Sequence, residues 1–180
     1  RFITSPMNFL TCFRLYYCKA FISGYYENFA LTAIMYKSSE GEVNEMEAML
    51  PVTANNGYSH CVEIADMSCV TVRNSRMTGG RHVISGCAGG LWEKEECGGK
   101  GHAGYPSVMI IDGGIYKGTN QVRDINADNA TLDSHGVVDR MIVKNCTVYG
   151  GINLGADRAE VTNVTVYTDG KRAFNIGSDV

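Results

Sequence analysis

Short apolar stretches separated by glycine and asparagine recur along the chain. Examples with β-branched side chains are Val70-Thr71-Val72, Met141-Ile142-Val143 and Val164-Thr165-Val166. None extends over the ten or so residues with 3.6-residue periodicity that an amphipathic helix needs. Short strands bounded by turn residues fit the pattern better. The chain is therefore predicted to be all-β.

The strands belong to a repeat in the sequence. Three motifs return after 18 residues: Asp139-Arg140 as Asp157-Arg158, Asn145 as Asn163, and Val148-Tyr149 as Val166-Tyr167. Leu154-Gly155 returns as Ile176-Gly177 after 22 residues, with the extra length in the turn-like stretch 168–172. A unit of this size is too short for a strand-helix-strand crossover but fits three short strands and three turns. This predicts a single-stranded right-handed parallel β-helix, a solenoid.

Earlier coils share the frame. Asn74 maps onto Asn145 at a displacement of 71, and Ile115-Tyr116 maps onto Val148-Tyr149 at 33. Stacking would place Asn74, Asn145 and Asn163 at one type of corner with a structural role. The repeated Asp-Arg pairs are expected to form diagonal ion pairs between coils.

The whole of 1–180 is interpreted as solenoid, although 1–55 match the repeat only loosely. Residues 86–105 interrupt it with a glycine-rich stretch, which predicts an inserted loop. The final residues still follow the repeat, so a fragment of a longer protein is expected.

Charge and composition exclude several classes of function. The formal net charge is −3, with no run of Lys or Arg, which disfavours nucleic acid and anionic lipid as partners. The aromatic N-terminal third is interrupted by charged residues, so membrane insertion is not expected. The seven cysteines lack metal-ligand spacing and are expected to be buried free thiols. We predict neither a metal nor a cofactor.

Three segments in this order resemble a known family: Gly79-Gly80-Arg81-His82-Val83, Leu132-Asp133-Ser134-His135-Gly136, and Met141-Ile142-Val143-Lys144-Asn145-Cys146-Thr147-Val148. They are similar to bacteriophage tailspike proteins of the pectate-lyase-like β-helix superfamily, over roughly residues 60 to 180. The resemblance implies a homotrimer in the virion tail, joined to other tail or baseplate proteins and made in the host cytoplasm. It also implies that the protein binds a polysaccharide of the bacterial surface, capsule or O-antigen, and cleaves it by hydrolysis or β-elimination.

Asp133 and His135 are the favoured catalytic pair. They are two residues apart, so an extended segment directs both side chains to one face, where the carboxylate could orient the imidazole. Carboxylates one or two rungs apart would be separated by ~5 or ~9.5 Å, near the spacings of retaining and inverting glycosidases. For a uronic acid substrate, His82 or His135 would remove the α-proton while Arg81 or Arg158 neutralises the carboxylate.

Trp92 and Tyr105, in the predicted loop, offer flat faces on which sugar rings could lie. The alternative for Trp92 is that it packs the loop against the coil or fills an interface with a neighbouring chain. The alternative for the polar candidates is that they form a satisfied hydrogen-bonded network that closes the turns of the solenoid and has no catalytic role. These candidates are Arg81, His82, Asp133 and His135.

Two functions therefore stay open: a depolymerase, or a non-catalytic receptor-binding or structural component of the tail. A secreted bacterial polysaccharide lyase is a third.

Overall fold

The described part of this computed structural model consists of β-strands joined by short turns. It comprises residues 2–3, 11–27, 32–50, 60–80, 82–87, 107–118, 130–134, 138–168 and 172–176. Eighteen strands and no helix occur in these ranges. The strands are β1 Phe2–Ile3, β2 Thr11–Tyr16, β3 Lys19–Glu27, β4 Thr32–Lys37, β5 Glu40–Met49, β6 His60–Ala65, β7 Cys69–Arg73, β8 Arg76–Thr78, β9 His82–Cys87, β10 Val108–Asp112, β11 Ile115–Lys117, β12 Ala130–Ser134, β13 Arg140–Lys144, β14 Thr147–Tyr149, β15 Gly151–Leu154, β16 Arg158–Thr162, β17 Thr165–Tyr167 and β18 Phe174–Ile176.

The strands form two sheets in which every described pairing is parallel. The smaller sheet has the order β18-β15-β12-β9-β6-β4-β2. The larger sheet runs β16-β13-β10-β7-β5-β8-β11-β14-β17, with β3 beside β5 and β1 beside β3. The ten-residue strand β5 pairs with β7 through its first half and with β8 through its second. The all-β class and parallel pairing are confirmed; because the strands are divided between two sheets, the single right-handed coil stays a prediction.

Strand pairing tests the repeat directly. Arg140 lies beside Arg158, which confirms the displacement of 18, and Leu154 lies beside Ile176, which confirms 22. The displacement of 33 is wrong, because Tyr116 pairs with Val148, a displacement of 32. The reason is packing: Tyr116 is fully buried and its hydroxyl donates to the Gly113 carbonyl, so it takes the inward position.

The core consists of rows of apolar side chains contributed by successive strands. Val43, Val72, Ile111 and Val143 are consecutive partners in β5, β7, β10 and β13, and all are fully buried. Their neighbours along each strand point to the opposite face, as the period of two requires. Ile84 and Leu132 form part of a similar row in the smaller sheet. Repetition of β-branched residues at one position therefore builds a continuous core.

The prediction of buried cysteines is correct for only part of the set. Cys61 and Cys146 are buried, whereas Cys18 and Cys69 are exposed. Burial raises the pKa of the Cys146 thiol to about 12, so it stays protonated near neutral pH. Cys69 is exposed because its strand directs Val70 and Val72 inward.

The asparagine corner is present as predicted. Asn74, Asn145 and Asn163 all have left-handed backbones, with φ of 46°, 56° and 53°. The Asn163 amide donates to Asn145 Oδ1 at 3.0 Å. After glycine, asparagine is one of the residues that adopt this conformation most readily, which explains why asparagine recurs at this corner.

Asp112 supplies the hydrogen-bond acceptor that is missing where the corner has a glycine in place of an asparagine. Gly113 occupies the corner between Asn74 and Asn145, and a Cβ there would collide with the Asn74 side chain. Asn145 Nδ2 instead donates to Asp112 Oδ1 at 2.9 Å. Arg73 and Lys144 lie 2.8 and 3.3 Å from Asp112 Oδ2. The Asn145 hydrogen bond, followed by these cations, lowers the pKa of Asp112 below its ordinary value.

The expected Asp-Arg ion pairs are wrong. Arg140 pairs with Glu160 at 2.5 Å, and the backbone N–H of Arg158 donates to the Asp139 carbonyl. The rungs align Arg140 with Arg158, so the nearest acid on the outward face is Glu160, two residues along β16.

We predict that Asn145→Ala destabilises the protein by about 2 kcal/mol and Asn145→Gly by only about 1 kcal/mol. Both variants lose the amide hydrogen bonds, but only alanine is strained at positive φ. Chemical denaturation would measure both. The control is the adjacent Lys144, whose backbone is extended, so that glycine should destabilise the protein more than alanine does at that position. If alanine destabilised the protein less than glycine at Asn145 as well, the role assigned to the left-handed corner would be contradicted.

We predict that Asp112→Asn lowers stability at neutral pH by an amount that shrinks on acidification. Since the folded pKa of Asp112 lies below the unfolded value of roughly 3.9, its stabilisation is present above that value and is lost as pH falls through the folded pKa. Unfolding free energies of both proteins between neutral pH and strong acid would test this. Glu40→Gln serves as the control, and a pH-independent difference for Asp112→Asn would rule the mechanism out.

Candidate functional site

The structure describes three of the seven predicted site residues. His82 begins β9, Asp133 lies in β12 and Arg158 begins β16. The other four lie outside the described residues: Arg81, Trp92, Tyr105 and His135. The predicted loop 86–105 also lies outside them, except for Gly86 and Cys87 at the end of β9.

Asp133 belongs to a row of polar side chains that crosses the smaller sheet. We call this the polar row; strand register places its members on successive strands in the order Glu63, Ser85, Asp133, Asn153 and Asn175. Glu63, Ser85, Asp133 and Asn153 each follow directly after a buried residue of the core row, so their side chains point to the other face of the sheet. Glu63, Ser85, Asp133 and Asn153 are nevertheless buried, at 5, 0, 0 and 2% exposure. Both faces of this sheet are therefore covered along β6, β9, β12 and β15.

His82 lies beside Asp133. Its Nε2 is 3.7 Å from Asp133 Oδ2, and its Nδ1 is 2.7 Å from the Ala130 carbonyl oxygen. A carbonyl can only accept, so Nδ1 carries a proton. The contact between Nε2 and the carboxylate is then attractive only when a further proton resides on the pair. At 3.7 Å the two groups are too far apart for a hydrogen bond but close enough to interact electrostatically.

His60 and Glu63 extend the cluster, although the sequence did not single them out. His60 is the strand partner of His82, and the two rings stack with centroids 5.6 Å apart and an angle of 11°. Thr32 donates to Glu63 Oε2 at 3.2 Å. A signal was present in the sequence, since His60 and His82 are 22 residues apart, the length of one repeat unit.

Asparagine side chains fix the orientation of Asp133. Asn153 Nδ2 donates to Asp133 Oδ1 at 2.8 Å, and Asn175 Nδ2 donates to Asn153 Oδ1 at 3.2 Å. These hydrogen bonds join Asn175, Asn153 and Asp133 into one chain across three neighbouring strands. Because Oδ1 is held by the amide, Oδ2 is the oxygen that faces the imidazole.

The register sets the spacing of the two acids. Glu63 and Asp133 both pair with the strand that carries Ser85, so they lie two rungs apart. Two rungs correspond to about 9.5 Å between equivalent backbone positions. Carboxyl groups separated by roughly 6.5–9.5 Å leave space for a water molecule, the arrangement of inverting glycosidases.

Ser85 lies between the two acids with an unused hydroxyl. Its side chain is fully buried, and its Oγ has no hydrogen-bond partner among the described residues. Such a group costs free energy in the folded state unless a ligand or water satisfies it. Ser85 is thus the position in the polar row best placed to bond to an incoming hydroxyl.

Arg158 does not join this cluster. It lies exposed in the larger sheet, beside Arg140, whereas Asp133 and His82 belong to the smaller sheet. The structure therefore places the predicted anion-binding Arg158 in a different sheet from Asp133 and His82.

No group of three or more His, Cys, Asp or Glu side chains in the described ranges could hold a metal ion. Nor do these ranges contain a helix long and apolar enough to cross a membrane. Comparisons with protein-family models, curated proteins and solved structures find no match to this chain. The chemistry of the site therefore rests on the geometry of its own residues.

We predict opposite effects on stability for two neighbouring positions. Asp133→Ala removes the acceptor of Asn153 and the partner of His82, so it should destabilise by about 3 kcal/mol. Ser85→Ala removes a buried hydroxyl without a described partner and should be neutral or stabilising by up to about 1 kcal/mol. Thermal and chemical denaturation would measure both, with the exposed Asp157→Ala as control; equal losses for Asp133→Ala and Asp157→Ala would contradict the network.

Proposed function

We propose that this chain is part of a tailspike-like protein that binds and depolymerises a bacterial surface polysaccharide, capsule or O-antigen. The observation that carries the proposal is the pair of buried carboxylates, Glu63 and Asp133, two rungs apart with the His82 imidazole beside Asp133. General acid-base chemistry on a glycosidic bond needs two such groups on one face.

The same proposal includes the finer form of the fold, a right-handed parallel β-helix. Parallel in-register pairing, units of 18 and 22 residues and the return of the chain to each sheet in sequence order all favour it. Trimerisation, attachment to other virion tail or baseplate proteins, and action at the host cell surface are parts of the proposal that come from the resemblance to tailspikes.

For hydrolysis, the two acids would have separate roles. Glu63 would donate its proton to the glycosidic oxygen as the bond to the anomeric carbon breaks. Asp133, oriented by Asn153, would take a proton from the water that attacks that carbon from the opposite side. His82 would then receive the proton from Asp133 and return it to solvent as the site opens.

For β-elimination, His82 would act as the base that removes the α-proton of a uronic acid. This version needs a cation to neutralise the substrate carboxylate. Arg158 lies in the other sheet, so Arg81, which precedes His82 in the chain, is the remaining predicted cation. The arrangement of the described residues supports hydrolysis more directly, because it supplies both acids.

Complete burial limits how the site can work. Asp133 and His82 are 0% exposed, so a sugar reaches them only when their covering opens. Opening of this kind is common in enzymes that exclude water from the reaction.

The same burial favours a second candidate function, in which the polar row is only structural. The chain would then be a receptor-binding or shaft component that adsorbs to sugar without cleaving it. Buried polar networks of this kind specify one packing of a core.

We predict that the protein converts purified host polysaccharide into shorter chains and that Asp133→Asn lowers the rate at least about 100-fold, the usual contribution of a general acid or base. Product size by chromatography, together with the ultraviolet absorbance of an unsaturated uronate, separates hydrolysis from elimination. Glu160→Gln, at an exposed acid of the larger sheet, is the matched control.

Unchanged polysaccharide with intact binding would overturn the depolymerase in favour of the adhesin or shaft. A folded Asp133→Asn variant with an undiminished rate would remove Asp133 from the mechanism.

A further inference from the structure

We infer that a second surface, on the larger sheet, binds acidic polysaccharide. We call it the tyrosine-lysine face; it consists of the outward side chains of β8, β11, β14 and β17, namely Arg76, Thr78, Ile115, Lys117, Thr147, Tyr149, Thr165 and Tyr167. This inference specifies the class of polysaccharide that the proposed function would use, and it therefore rests on that proposed function. The surface itself is separate from the polar row.

Alternation along four three-residue strands creates this face. The central residues Met77, Tyr116 and Val148 are fully buried, so the residues on either side of each point outward. Strand register aligns them in two rows: Arg76, Ile115, Thr147 and Thr165 form one, and Thr78, Lys117, Tyr149 and Tyr167 form the other. The result is a regular surface with equivalent side chains repeated about every 4.8 Å.

Two tyrosines project from it without contributing to the core. Tyr149 and Tyr167 are 40 and 54% exposed, and their rings stack at 4.9 Å with an angle of 15°. Ile115, in the neighbouring row, is 36% exposed. Stacking holds the two rings in one orientation, so little side-chain entropy is lost when a ligand packs against them.

The charges of the face are positive and unpaired. Arg76 and Lys117 are exposed and form no ion pair with any described residue. The four strands contain no acidic residue, although the chain as a whole has a net charge of −3. Glu47 of β5 lies beside Arg76 in register but does not form an ion pair with it.

The adjacent path of the same sheet differs. There Arg73 and Lys144 both pair with Asp112, and Arg140 pairs with Glu160. Three of the four cations on the described strands of that path are thus ion-paired, Arg158 being the exception, whereas neither cation of the tyrosine-lysine face is. Unpaired cations on an exposed surface favour an anionic ligand.

The polar groups of the face favour a sugar acid as that ligand. Three threonine hydroxyls and two phenols can bond to sugar hydroxyls, while the tyrosine rings provide apolar contact. Only two cations are present, too few for the six to ten or so phosphate contacts typical of nucleic-acid binding. A polymer with one carboxylate per sugar has a lower charge density than a nucleic acid duplex, so two cations match it better.

The test uses a galacturonic acid oligomer as the probe and the same oligomer with methyl-esterified carboxylates as the matched ligand. Titration calorimetry at low salt should show binding of the acid form, weakening as salt is added. Arg76→Ala/Lys117→Ala should reduce affinity roughly tenfold, an effect of about 1.4 kcal/mol. Arg14→Ala/Lys19→Ala, which removes exposed cations elsewhere, should leave it unchanged.

Tyr149→Ala/Tyr167→Ala should weaken binding of both oligomers, because the rings contact the sugar and not its charge. Thermal melting confirms that each variant is folded, as expected for outward side chains. Absence of binding by the acid form, equal binding of both oligomers, or unchanged affinity in Arg76→Ala/Lys117→Ala would each overturn the inference.

This outcome is distinct from that of the depolymerase. Binding to the tyrosine-lysine face without cleavage of host polysaccharide would leave the face established and reject the enzyme. Cleavage that depends on Asp133, with no contribution from Arg76 or Lys117 to binding, would support the enzyme and reject the tyrosine-lysine face as a binding surface.

Discussion

Parallel, in-register pairing is the constraint on which the rest of this structure depends. When strands align this way, each residue has the equivalent residue of the next coil directly beside it, about 4.8 Å away. One apolar position then becomes a core row, as from Val43 to Val143, and one polar position becomes the row from Glu63 to Asn175. In this fold, both the hydrophobic core and the polar site are therefore built from rows of equivalent residues.

The asparagine corner shows how such a row tolerates a defect. Asn163 bonds to Asn145, and Asn145 would next meet a side chain at position 113, where glycine has none. The Asp112 carboxylate accepts the amide instead and is itself held by Arg73 and Lys144. The ladder of hydrogen bonds thus continues through a different residue type. Because that residue is an aspartate, this corner is sensitive to protonation of Asp112.

The sequence allowed prediction of those features that depend on local pattern and repeat length. Short β-branched runs gave the strand class, and displacements of 18 and 22 gave the pairing of the last coils. The displacement of 33 failed because Tyr116 and Tyr149 look alike in sequence but face opposite sides, one filling the core and the other exposed. Residue type alone does not tell an inward tyrosine from an outward one.

The sequence named Asp133 and His82 as candidate residues but did not predict that they lie beside each other. Asp133 and His82 are 51 residues apart in sequence, and their contact depends on the register of β9 and β12 across a long connection. Sequence proximity instead suggested His135, which lies outside the described residues. Arg158 matched the requirement for a cation but occupies the other sheet.

The lengths of the connections show one further property of the molecule. From one strand of the smaller sheet to the next, His60 to His82 takes 22 residues, whereas Ile84 to Leu132 takes 48, yet both pairs are direct neighbours in register. The framework therefore accommodates connections that differ more than twofold in length between neighbouring strands. Such a chain can acquire or lose a segment between two strands during evolution while its rows stay in place.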